Sequence, residues 1–335
     1  MAQAQKCRIV FMGTPEFAAV SLERLAAWQR GEIAGVYTQP DRPAGRGHRL
    51  RTPPVKKLAL ALGYPVFQPL SLKSPEEQER LAALRPDVIA VAAYGMILPQ
   101  AVLDMPRLEC VNVHASLLPA YRGAAPIQRA VMDSWRPGAV AGVTIMRVTL
   151  KLDSGPMFAA DSLPVGEHTA GTLHDALAGR GADLLVRVLD DIVDGRARPV
   201  EQDESLVTYA PKIAKEDGFV DWSRPAVQVH ARIRGVTPRP RARVVLEPAG
   251  DAVFAPLSLC IAPGKIGAAT GSAAPGTLRR DAAGLSIACA DCWYELSMVR
   301  PQGKKDMTCR DLLNGALRGA PQGFCGVAHA PLTGE

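Results

Sequence analysis

The sequence lacks a run of about 18 apolar residues, so it predicts no membrane-spanning helix. The apolar run Ile9–Met12 is too short for the core of a secretory signal peptide. The seven cysteines are odd in number and irregularly spaced, which is typical of a reduced, cytoplasmic protein. Cys289 and Cys292 form a C-x-x-C pair, but a structural zinc site usually needs a second pair. We therefore interpret them as buried or incidental thiols and expect no metal.

Glycine is scarce where a dinucleotide-binding enzyme would need it. The segment Gly13–Glu16 follows the first predicted strand and contains one glycine, so the G-x-G-x-x-G fingerprint is missing. Without that fingerprint the backbone cannot form the usual nest for a pyrophosphate. A nicotinamide-dependent dehydrogenase is therefore disfavoured.

The composition is that of a globular protein. The chain has 335 residues, of which 47% are hydrophobic and 21% charged, and this length favours two domains. The formal net charge is +6. A basic chain is compatible with a nucleic-acid partner but does not establish one, since many basic enzymes bind only small anions.

Residues up to 193 alternate short apolar runs with helical patterns, which indicates a doubly wound, Rossmann-like open α/β sheet. The active site should then lie beyond the carboxyl ends of the strands. The pattern predicts strands at Arg8–Met12, Ile33–Thr38, Val88–Ala93, Cys110–His114 and Ala141–Met146, and helices at Pro15–Trp28 (with Thr14 as N-cap), Pro54–Leu62, Pro75–Leu84, Ala125–Ser134 and Thr172–Val193.

The pattern changes after residue 193. Residues 194–205 are rich in Gly, Arg, Pro and acids and are interpreted as a linker, which divides the chain into domains 1–193 and 206–335. The second domain is predicted to be a small β-barrel, OB-like, with a terminal helix near Cys309–Arg318. Its predicted strands are Val244–Leu246, Ala252–Phe254, Leu257–Ile261, Gly284–Ala288 and Trp293–Met298.

Asn112 and His114 end the fourth predicted strand of the first domain. Side chains alternate along a strand, so these two should project to one face while Val113 enters the core. An amide donor beside an imidazole suits a carbonyl oxygen that acquires negative charge, with the imidazole available for proton transfer. A buried, hydrogen-bonded histidine without a catalytic role is the plainer alternative for this pair alone.

Two following segments strengthen the catalytic interpretation. Ser116–Pro119 and Tyr121–Ile127 form a loop of small and rigid residues that opens a helix. Asp153 then lies on a glycine-containing turn after the next strand, where its carboxylate could support the imidazole of His114 and relay a proton through water. An ordinary Asx-turn residue is the alternative for Asp153.

These segments together resemble a known family. Asn112-x-His114, Ser116–Pro119, Tyr121–Pro126 and Leu152–Gly155 are similar to the signature of formyltetrahydrofolate-dependent formyltransferases. Within that family, the chain resembles the members that formylate methionyl initiator tRNA. That closer resemblance rests on Val10–Phe17, Thr38–Gly47, Tyr209–Ile213, Asp221-Trp222 and Pro301–Lys305.

The resemblance implies the site residues. Asn112, His114 and Asp153 match the catalytic trio, and the co-substrate would be 10-formyltetrahydrofolate, with no metal. The resemblance places the folate at two segments, namely Tyr94, Gly95, Met96, Ile97 and Leu98, and Ser116, Leu117, Leu118 and Pro119. The chain departs from the family pattern at Lys151, where glycine is usual, and at Pro156, where an acid is usual. The charge of Lys151 could act on Asp153, or its bulk could alter the loop.

A second implication concerns tRNA. Between Ile33 and Pro75 the only acid is Asp41, against seven arginines and lysines, and we expect Pro and Gly to keep Arg42–Arg49 out of regular structure. A solvated basic loop is the alternative, but such a loop is also suited to tracking phosphates. The predicted tRNA-binding residues are Arg42, Arg46, His48, Arg49 and Arg51 in this loop, and Arg232, Arg234 and Arg239 in the second domain.

The sequence therefore predicts transfer of a formyl group from folate to the amino group of methionyl initiator tRNA, by a cytoplasmic protein expected to be a monomer. One alternative is the same chemistry on a nucleotide-linked amino sugar, which would give no reason for the Arg-rich loop. The other is a non-catalytic, folate-responsive RNA-binding protein.

Overall fold

A computed structural model describes residues 6–44, 49–248, 255–281, 284–318 and 325–329. The chain forms two compact units. The first comprises residues 1–126, 141–163 and 174–210, and the second comprises residues 127–140, 164–173 and 211–335. The domain boundary at residues 194–205 stays a prediction. None of the helices among the described residues is long and apolar enough to cross a membrane.

The strands up to residue 210 form a seven-stranded sheet and two smaller ribbons. They are β1 (Cys7–Gly13), β2 (Gly31–Tyr37), β3 (Arg42–Ala44), β4 (Arg49–Arg51), β5 (Val66–Phe67), β6 (Val88–Ala92), β7 (Glu109–His114), β8 (Arg122–Gly123), β9 (Val140–Arg147), β10 (Met157–Pro164) and β11 (Tyr209–Ala210). The sheet order is β10-β9-β7-β6-β1-β2-β5, with β8 and β11 as one parallel ribbon and β3 and β4 as one antiparallel ribbon.

The order of the large sheet makes it doubly wound. Strands β5, β2, β1, β6 and β7 are parallel, and β9 pairs antiparallel to β7. The chain runs outward from β1 to β2 and then returns to β6 on the other side of β1, so the winding reverses between β1 and β6. Ligands of such sheets bind in the crevice at the carboxyl ends of the strands beside this reversal. The Rossmann-like fold predicted for this part of the chain is confirmed.

The helices of the same part of the chain are α1 (Glu16–Ala26), α2 (Pro54–Ala61), α3 (Pro75–Ala83), α4 (Gln100–Leu103), α5 (Pro126–Met132) and α6 (Ala170–Val193). Strands β1 and β6 are almost wholly buried, which explains their continuous apolar runs. Helix α6 lies against the sheet at Gly181, where a Cβ would meet Val113 and Val143. Val113 therefore faces this helix, as strand alternation predicts.

Two local predictions are wrong. Thr14 does not cap α1: Pro15 occupies the N-cap position without a side-chain hydrogen bond, and the hydroxyl of Thr14 donates to the carbonyl of Tyr94 at 3.0 Å. The basic loop is also partly regular, because β3 and β4 pair antiparallel. A two-stranded ribbon has two edges, and an edge tolerates Pro43 because proline need not donate to the ladder there.

The described strands after residue 211 form a curled, nine-stranded sheet, which confirms the predicted small barrel-like domain. Its strands are β12 (Ala242–Pro248), β13 (Leu257–Ile261), β14 (Lys265–Ala269), β15 (Thr277–Asp281), β16 (Gly284–Ala288), β17 (Cys292–Glu295), β18 (Met298–Pro301), β19 (Met307–Thr308) and β20 (Cys325–His329). The order is β14-β17-β16-β15-β20-β12-β13-β18-β19, and each strand pairs antiparallel with its neighbours in this order. The predicted strand Ala252–Phe254 lies outside the described residues.

Helices α7 (Ala226–Gly235) and α8 (Cys309–Asn314) complete this part. They share its core with the strands, for example through Val229, Ile233, Leu285 and Leu312. Cys289 is buried in that core and Cys292 is half-buried, and both are free thiols. Among the residues that the structure describes, no group of three or more His, Cys, Asp or Glu side chains could hold a metal ion.

Candidate active site

His114 lies at the carboxyl end of β7, with its ring almost wholly buried. Its Nε2 is 3.1 Å from the carbonyl oxygen of Tyr121, and a carbonyl oxygen can only accept, so Nε2 carries a proton. Its Nδ1 lies 3.7 Å from Oδ1 of Asp153, beyond hydrogen-bonding distance. A neutral ring would therefore turn a lone pair towards a carboxylate. An N–H at Nδ1 would instead be directed at that carboxylate.

Asn112 lies two residues earlier on the same strand and is half-buried. It pairs with Val91 of β6 on one side and with Met146 of β9 on the other. Its carboxamide hydrogen-bonds none of the residues that the structure describes, so its donor is available to a ligand. Asn112 and His114 thus share the face of β7 opposite Val113.

Asp153 combines a hydrogen-bonded carboxylate with an unusual backbone conformation. Its Oδ2 accepts from the backbone N–H of Gly123 at 2.9 Å, and its backbone has φ +48°. Tyr121 and Ala93 also have positive φ values, +60° and +44°. Non-glycine residues in this left-handed region are strained by about 1–3 kcal/mol and are frequent at functional sites. Asp153 and Tyr121 belong to segments that the sequence predicts to form the site, and Ala93 directly precedes the first predicted folate segment.

Two glycines allow this close packing. A Cβ at Gly123, whose φ is +122°, would lie 2.8 Å from the carbonyl oxygen of Ala210. A Cβ at Gly155 would overlap the carbonyl oxygen of Arg147. A larger residue at Gly123 would push the Tyr121 loop away from Ala210, and one at Gly155 would push the Asp153 loop away from Arg147 at the end of β9.

The first predicted folate segment follows β6 at the winding reversal. The carbonyl oxygens of Tyr94 and Gly95 accept from the Gln39 side-chain amide at 3.3 and 3.0 Å. Tyr94 and Leu98 are buried, whereas Gly95 and Ile97 are exposed and Met96 is half-buried. The segment therefore presents its glycine and one apolar side chain outward.

The second predicted folate segment is fixed by buried Thr144. The hydroxyl of Thr144 donates to the carbonyl of Ser116 at 2.7 Å and accepts from the N–H of Leu118 at 3.2 Å. The hydroxyl of Ser116 donates to the carbonyl of Ala120 at 2.6 Å. Leu117 packs against Gly142, where a Cβ would collide with its side chain, and the Leu118–Pro119 peptide bond is cis. These hydrogen bonds and the packing of Leu117 hold the segment in place directly after His114.

A cavity of about 650 Å³, within the usual range for ligand sites, lies beside the Asp153 loop. Its lining was not predicted from the sequence. The only sequence signal was the apolar Leu150 three residues before Asp153, and the structure shows that its side chain is exposed. Its lining includes Leu103, Leu108, Arg147, Leu150 and Ser154.

The departure at Lys151 has a structural explanation. Its ammonium group pairs with Oε2 of Glu204 at 2.9 Å, and both side chains are largely exposed. Hydrogen bonds from Arg122, the larger cause, and from Lys151 lower the pKa of Glu204 to about 2. Lys151 therefore points its charge at Glu204, and its side chain leaves the Asp153 carboxylate to Gly123 and His114.

The predicted tRNA-binding residues fall into two classes. Arg42 and Arg51 are exposed on the β3–β4 ribbon, where Arg42 donates to Oε1 of Gln39 at 2.8 Å and Arg51 approaches Glu16 at 3.4 Å. Arg239 is also exposed. Arg46 and His48 lie outside the described residues, and of Arg49 only the backbone is described.

Arg232 and Arg234 are instead committed to contacts inside the second unit. Arg232 pairs with Asp217 at 3.0 Å, and buried Arg234 donates to the carbonyls of Gly166 and His168 and to Ser134. Burial lowers the pKa of both guanidinium groups. Because these partners already occupy both guanidinium groups, neither side chain is well placed to bind a phosphate.

Comparisons with known proteins show the family to which this site belongs. Residues 7–189 match the family Formyl transferase, and residues 212–317 match Formyl transferase, C-terminal domain. The chain is 62% identical over 333 residues to a protein of Desulfovibrio desulfuricans named methionyl-tRNA formyltransferase, covering 99% of each chain. It is 49% identical over 311 residues to a protein of the same name from Nitratidesulfovibrio vulgaris, covering 92% of each.

Solved structures share the fold at low sequence identity. An N-formyltransferase from Helicobacter canadensis, in complex with folinic acid and dTDP-3-aminofucose, superposes with a TM-score of 0.60 at 14% identity, over 87% of this chain and 98% of that one. HypX from Aquifex aeolicus, in complex with tetrahydrofolic acid, gives a TM-score of 0.54 at 17% identity, over 94% of this chain and 48% of that one.

Proposed function

Because the chain belongs to the formyl transferase family, we propose that it transfers the formyl group of 10-formyltetrahydrofolate to the α-amino group of methionyl initiator tRNA, for use in translation initiation. The relatives named methionyl-tRNA formyltransferase, similar along almost the whole chain, support the choice of acceptor. The observation that carries the chemistry is the open carboxamide of Asn112 on the same face of β7 as His114, whose Nδ1 lies 3.7 Å from Oδ1 of Asp153.

The reaction is a direct displacement. The neutral amine attacks the formyl carbon, a new C–N bond forms, and the bond between that carbon and N10 of folate breaks. The amine loses one proton, and N10 gains one. A tetrahedral oxyanion forms on the way, and no group of the protein becomes covalently attached.

Asn112 and His114 stabilise that oxyanion in this proposal. The carboxamide of Asn112 donates one hydrogen bond, and the protonated Nδ1 of His114 donates a second. Preorganised donors of this kind usually make the largest single contribution to catalysis. Asp153 supports the charged imidazole and helps to remove the amine proton, directly or through a water molecule. The strands hold carrier and amine together, which contributes the rest.

The proposed tRNA contacts are narrower than the full set of predicted arginines. We assign phosphate contacts to the exposed Arg42, Arg51 and Arg239. Arg232 and Arg234 support their surroundings instead, because Asp217 and main-chain carbonyls already occupy their guanidinium groups. Arg46, His48 and Arg49 remain proposed from the sequence alone. We also propose a cytoplasmic location, where translation uses this acceptor.

The decisive experiment measures transfer of labelled formyl from 10-formyltetrahydrofolate to methionyl initiator tRNA. The parallel acceptors are methionyl elongator tRNA and a nucleotide-linked amino sugar. We expect transfer to the initiator tRNA at least tenfold faster than to the sugar nucleotide, since each 1.4 kcal/mol of discrimination is a factor of about ten. Faster transfer to the sugar nucleotide would contradict the assignment of tRNA as the acceptor. Absence of transfer to all three acceptors would contradict the assignment of the chain as an enzyme.

A further inference from the structure

The segment Gln202–Ala210 was expected to begin in a linker, yet it contacts both loops that hold the proposed catalytic groups. The backbone of Thr208 and Ala210 accepts from Arg122 at 2.9 Å and from Ala124 at 3.0 Å. The hydroxyl of Thr208 accepts from the N–H of Tyr121, at 2.9 Å. The carbonyl of Tyr121 is the acceptor for His114, so this segment fixes the loop that orients the imidazole.

Gln202 makes the corresponding contact with the Asp153 loop. Its side chain is buried, and its Nε2 donates to the carbonyl of Asp153 at 2.9 Å and to the carbonyl of Gly155 at 2.8 Å. Its Oε1 accepts from Nε and Nη2 of Arg122 at 3.0 and 2.8 Å. Both donors and both lone pairs of the amide are therefore in use.

Arg122 explains why this position requires an acceptor. It is fully buried, and Nη2 also donates to Glu204 at 2.8 Å, while Nη1 has no partner among the described residues. A buried guanidinium costs several kcal/mol unless it is well hydrogen-bonded. A packed apolar side chain would be less costly here, so simple stability does not account for this choice of residue.

We propose that Gln202, held in place by Arg122, is the positioning residue of the Asp153 loop. Asp153 has a strained backbone, with φ +48°, and such a conformation persists only when its surroundings fix it. The two donors of Gln202 hold the carbonyls on either side of Ser154, and Gly123 holds the carboxylate. Together they set the distance between Asp153 and Nδ1 of His114. This role rests on the proposed function, because it assigns Asp153 to catalysis.

The sharpest variant is Gln202→Glu. The new carboxylate keeps the acceptors for Arg122 and adds an ion pair with it, but it cannot donate to the carbonyls of Asp153 and Gly155. We expect kcat to fall about tenfold to a hundredfold, because a displacement of about 1 Å at a catalytic group can have effects of that size. The KM values for formylfolate and for tRNA should change by less than about threefold, since Gln202 contacts neither proposed substrate site.

A double-variant cycle separates positioning from stability. If Gln202 acts through Asp153, Gln202→Glu should lower kcat no further in an Asp153→Asn background. Fully multiplicative effects of the two changes would overturn the proposal, and so would a normal kcat in Gln202→Glu. Gln78→Glu is the matched control: Gln78 donates to the carbonyl of Leu72 at 3.0 Å, and we expect its kcat to stay normal.

Folding is followed by circular dichroism, with Gln202→Met as a second variant that places no charge beside the carbonyls. If one variant fails to fold, the other carries the same test. Failure of both to fold would overturn the proposal, because Gln202 would then belong to the stability of the unit. The proposed function fails separately, if the wild-type chain formylates no tRNA. Normal turnover in Asp153→Asn would instead leave that function intact and overturn the positioning role, because Asp153 would then have no catalytic part.

Discussion

At the scale of single residues, the two nitrogens of His114 have different tasks. Nε2 is committed to the carbonyl of Tyr121, which sets the ring orientation, and Nδ1 faces Asp153 and the open end of the strand. In the proposed mechanism, the proton that acts on the oxyanion is therefore the one on Nδ1. The half-buried Asn112 supplies a neutral donor beside it, and this donor needs no change of protonation during the reaction.

We predict that Asn112→Ala or His114→Ala lowers kcat by about a hundredfold or more, the usual cost of removing an oxyanion donor. Both should be measured under saturating formylfolate and tRNA. Asn314→Ala and His174→Ala are matched controls, since Asn314 is exposed on α8 and His174 pairs with Asp175 at 2.9 Å. Near-normal turnover in both active-site variants would remove the proposed site.

Lys151 gives a prediction of the opposite kind. Its ion pair with Glu204 is largely exposed, and exposed pairs contribute little. Lys151→Gly, which introduces the residue usual in the family, should therefore change kcat by less than about threefold. The measurement is steady-state formylation beside the parent protein. A large gain in kcat would show that the lysine does impair Asp153.

At the scale of elements, strand periodicity was sufficient to predict one half of the site. Asn112, Val113 and His114 alternate on β7 as any strand requires, and Val113 duly faces α6. The strands and helices of the large sheet were also predictable, because their buried runs are continuous and their helices are amphipathic.

The other half depended on contacts that no local pattern encodes. Gln202 is 49 residues away from Asp153 and lies in a stretch whose Gly, Arg and Pro content is typical of a linker. The hydroxyl of Thr14 had two possible partners, the first turn of α1 and the carbonyl of Tyr94, and the tertiary partner prevails. Composition cannot decide between a local and a distant hydrogen-bond partner.

The β3–β4 ribbon gives a prediction at this scale. Gln39 donates to the first predicted folate segment and accepts from Arg42, so the ribbon is anchored to that segment. If Arg42 contacts one phosphate, Arg42→Ala should raise KM for tRNA and reduce the slope of log affinity against log salt by about one. KM for formylfolate should change much less.

The control for that experiment is Arg80→Ala, which removes an equal charge from α3, where Arg80 pairs with Glu77 at 2.7 Å. Its salt slope should equal that of the parent. An unchanged slope in Arg42→Ala would mean that this side chain contacts no phosphate, and the ribbon would then be a solvated surface.

At the scale of the whole molecule, buried thiols limit stability in alkali. Burial raises the pKa of Cys7 to about 11 and the pKa values of Cys110 and Cys289 to about 12, from an ordinary 9.0. These groups are neutral in the folded chain and ionise more readily in the unfolded one. Their contribution to stability is therefore complete below pH 9.0 and is lost as the pH rises through 11 to 12.

Carboxylates set the acid limit, and Glu204 offers the clearest test. Its folded pKa of about 2 lies below its ordinary 4.5, because Arg122 and Lys151 donate to it, so the unfolded chain binds a proton first as the pH falls. Its contribution to stability is complete above pH 4.5 and is lost between 4.5 and about 2.

We predict that the parent protein melts at a higher temperature than Glu204→Gln at pH 7, and that this difference shrinks towards zero as the pH approaches 2. Thermal melts of both proteins at a series of pH values measure it, with Glu79→Gln as the exposed control. A difference in melting temperature that stays constant down to pH 2 would mean that the charge of Glu204 does not stabilise Arg122. In that case the buried guanidinium would depend on Gln202 alone, and the Asp153 loop would be insensitive to acid until the fold itself is lost.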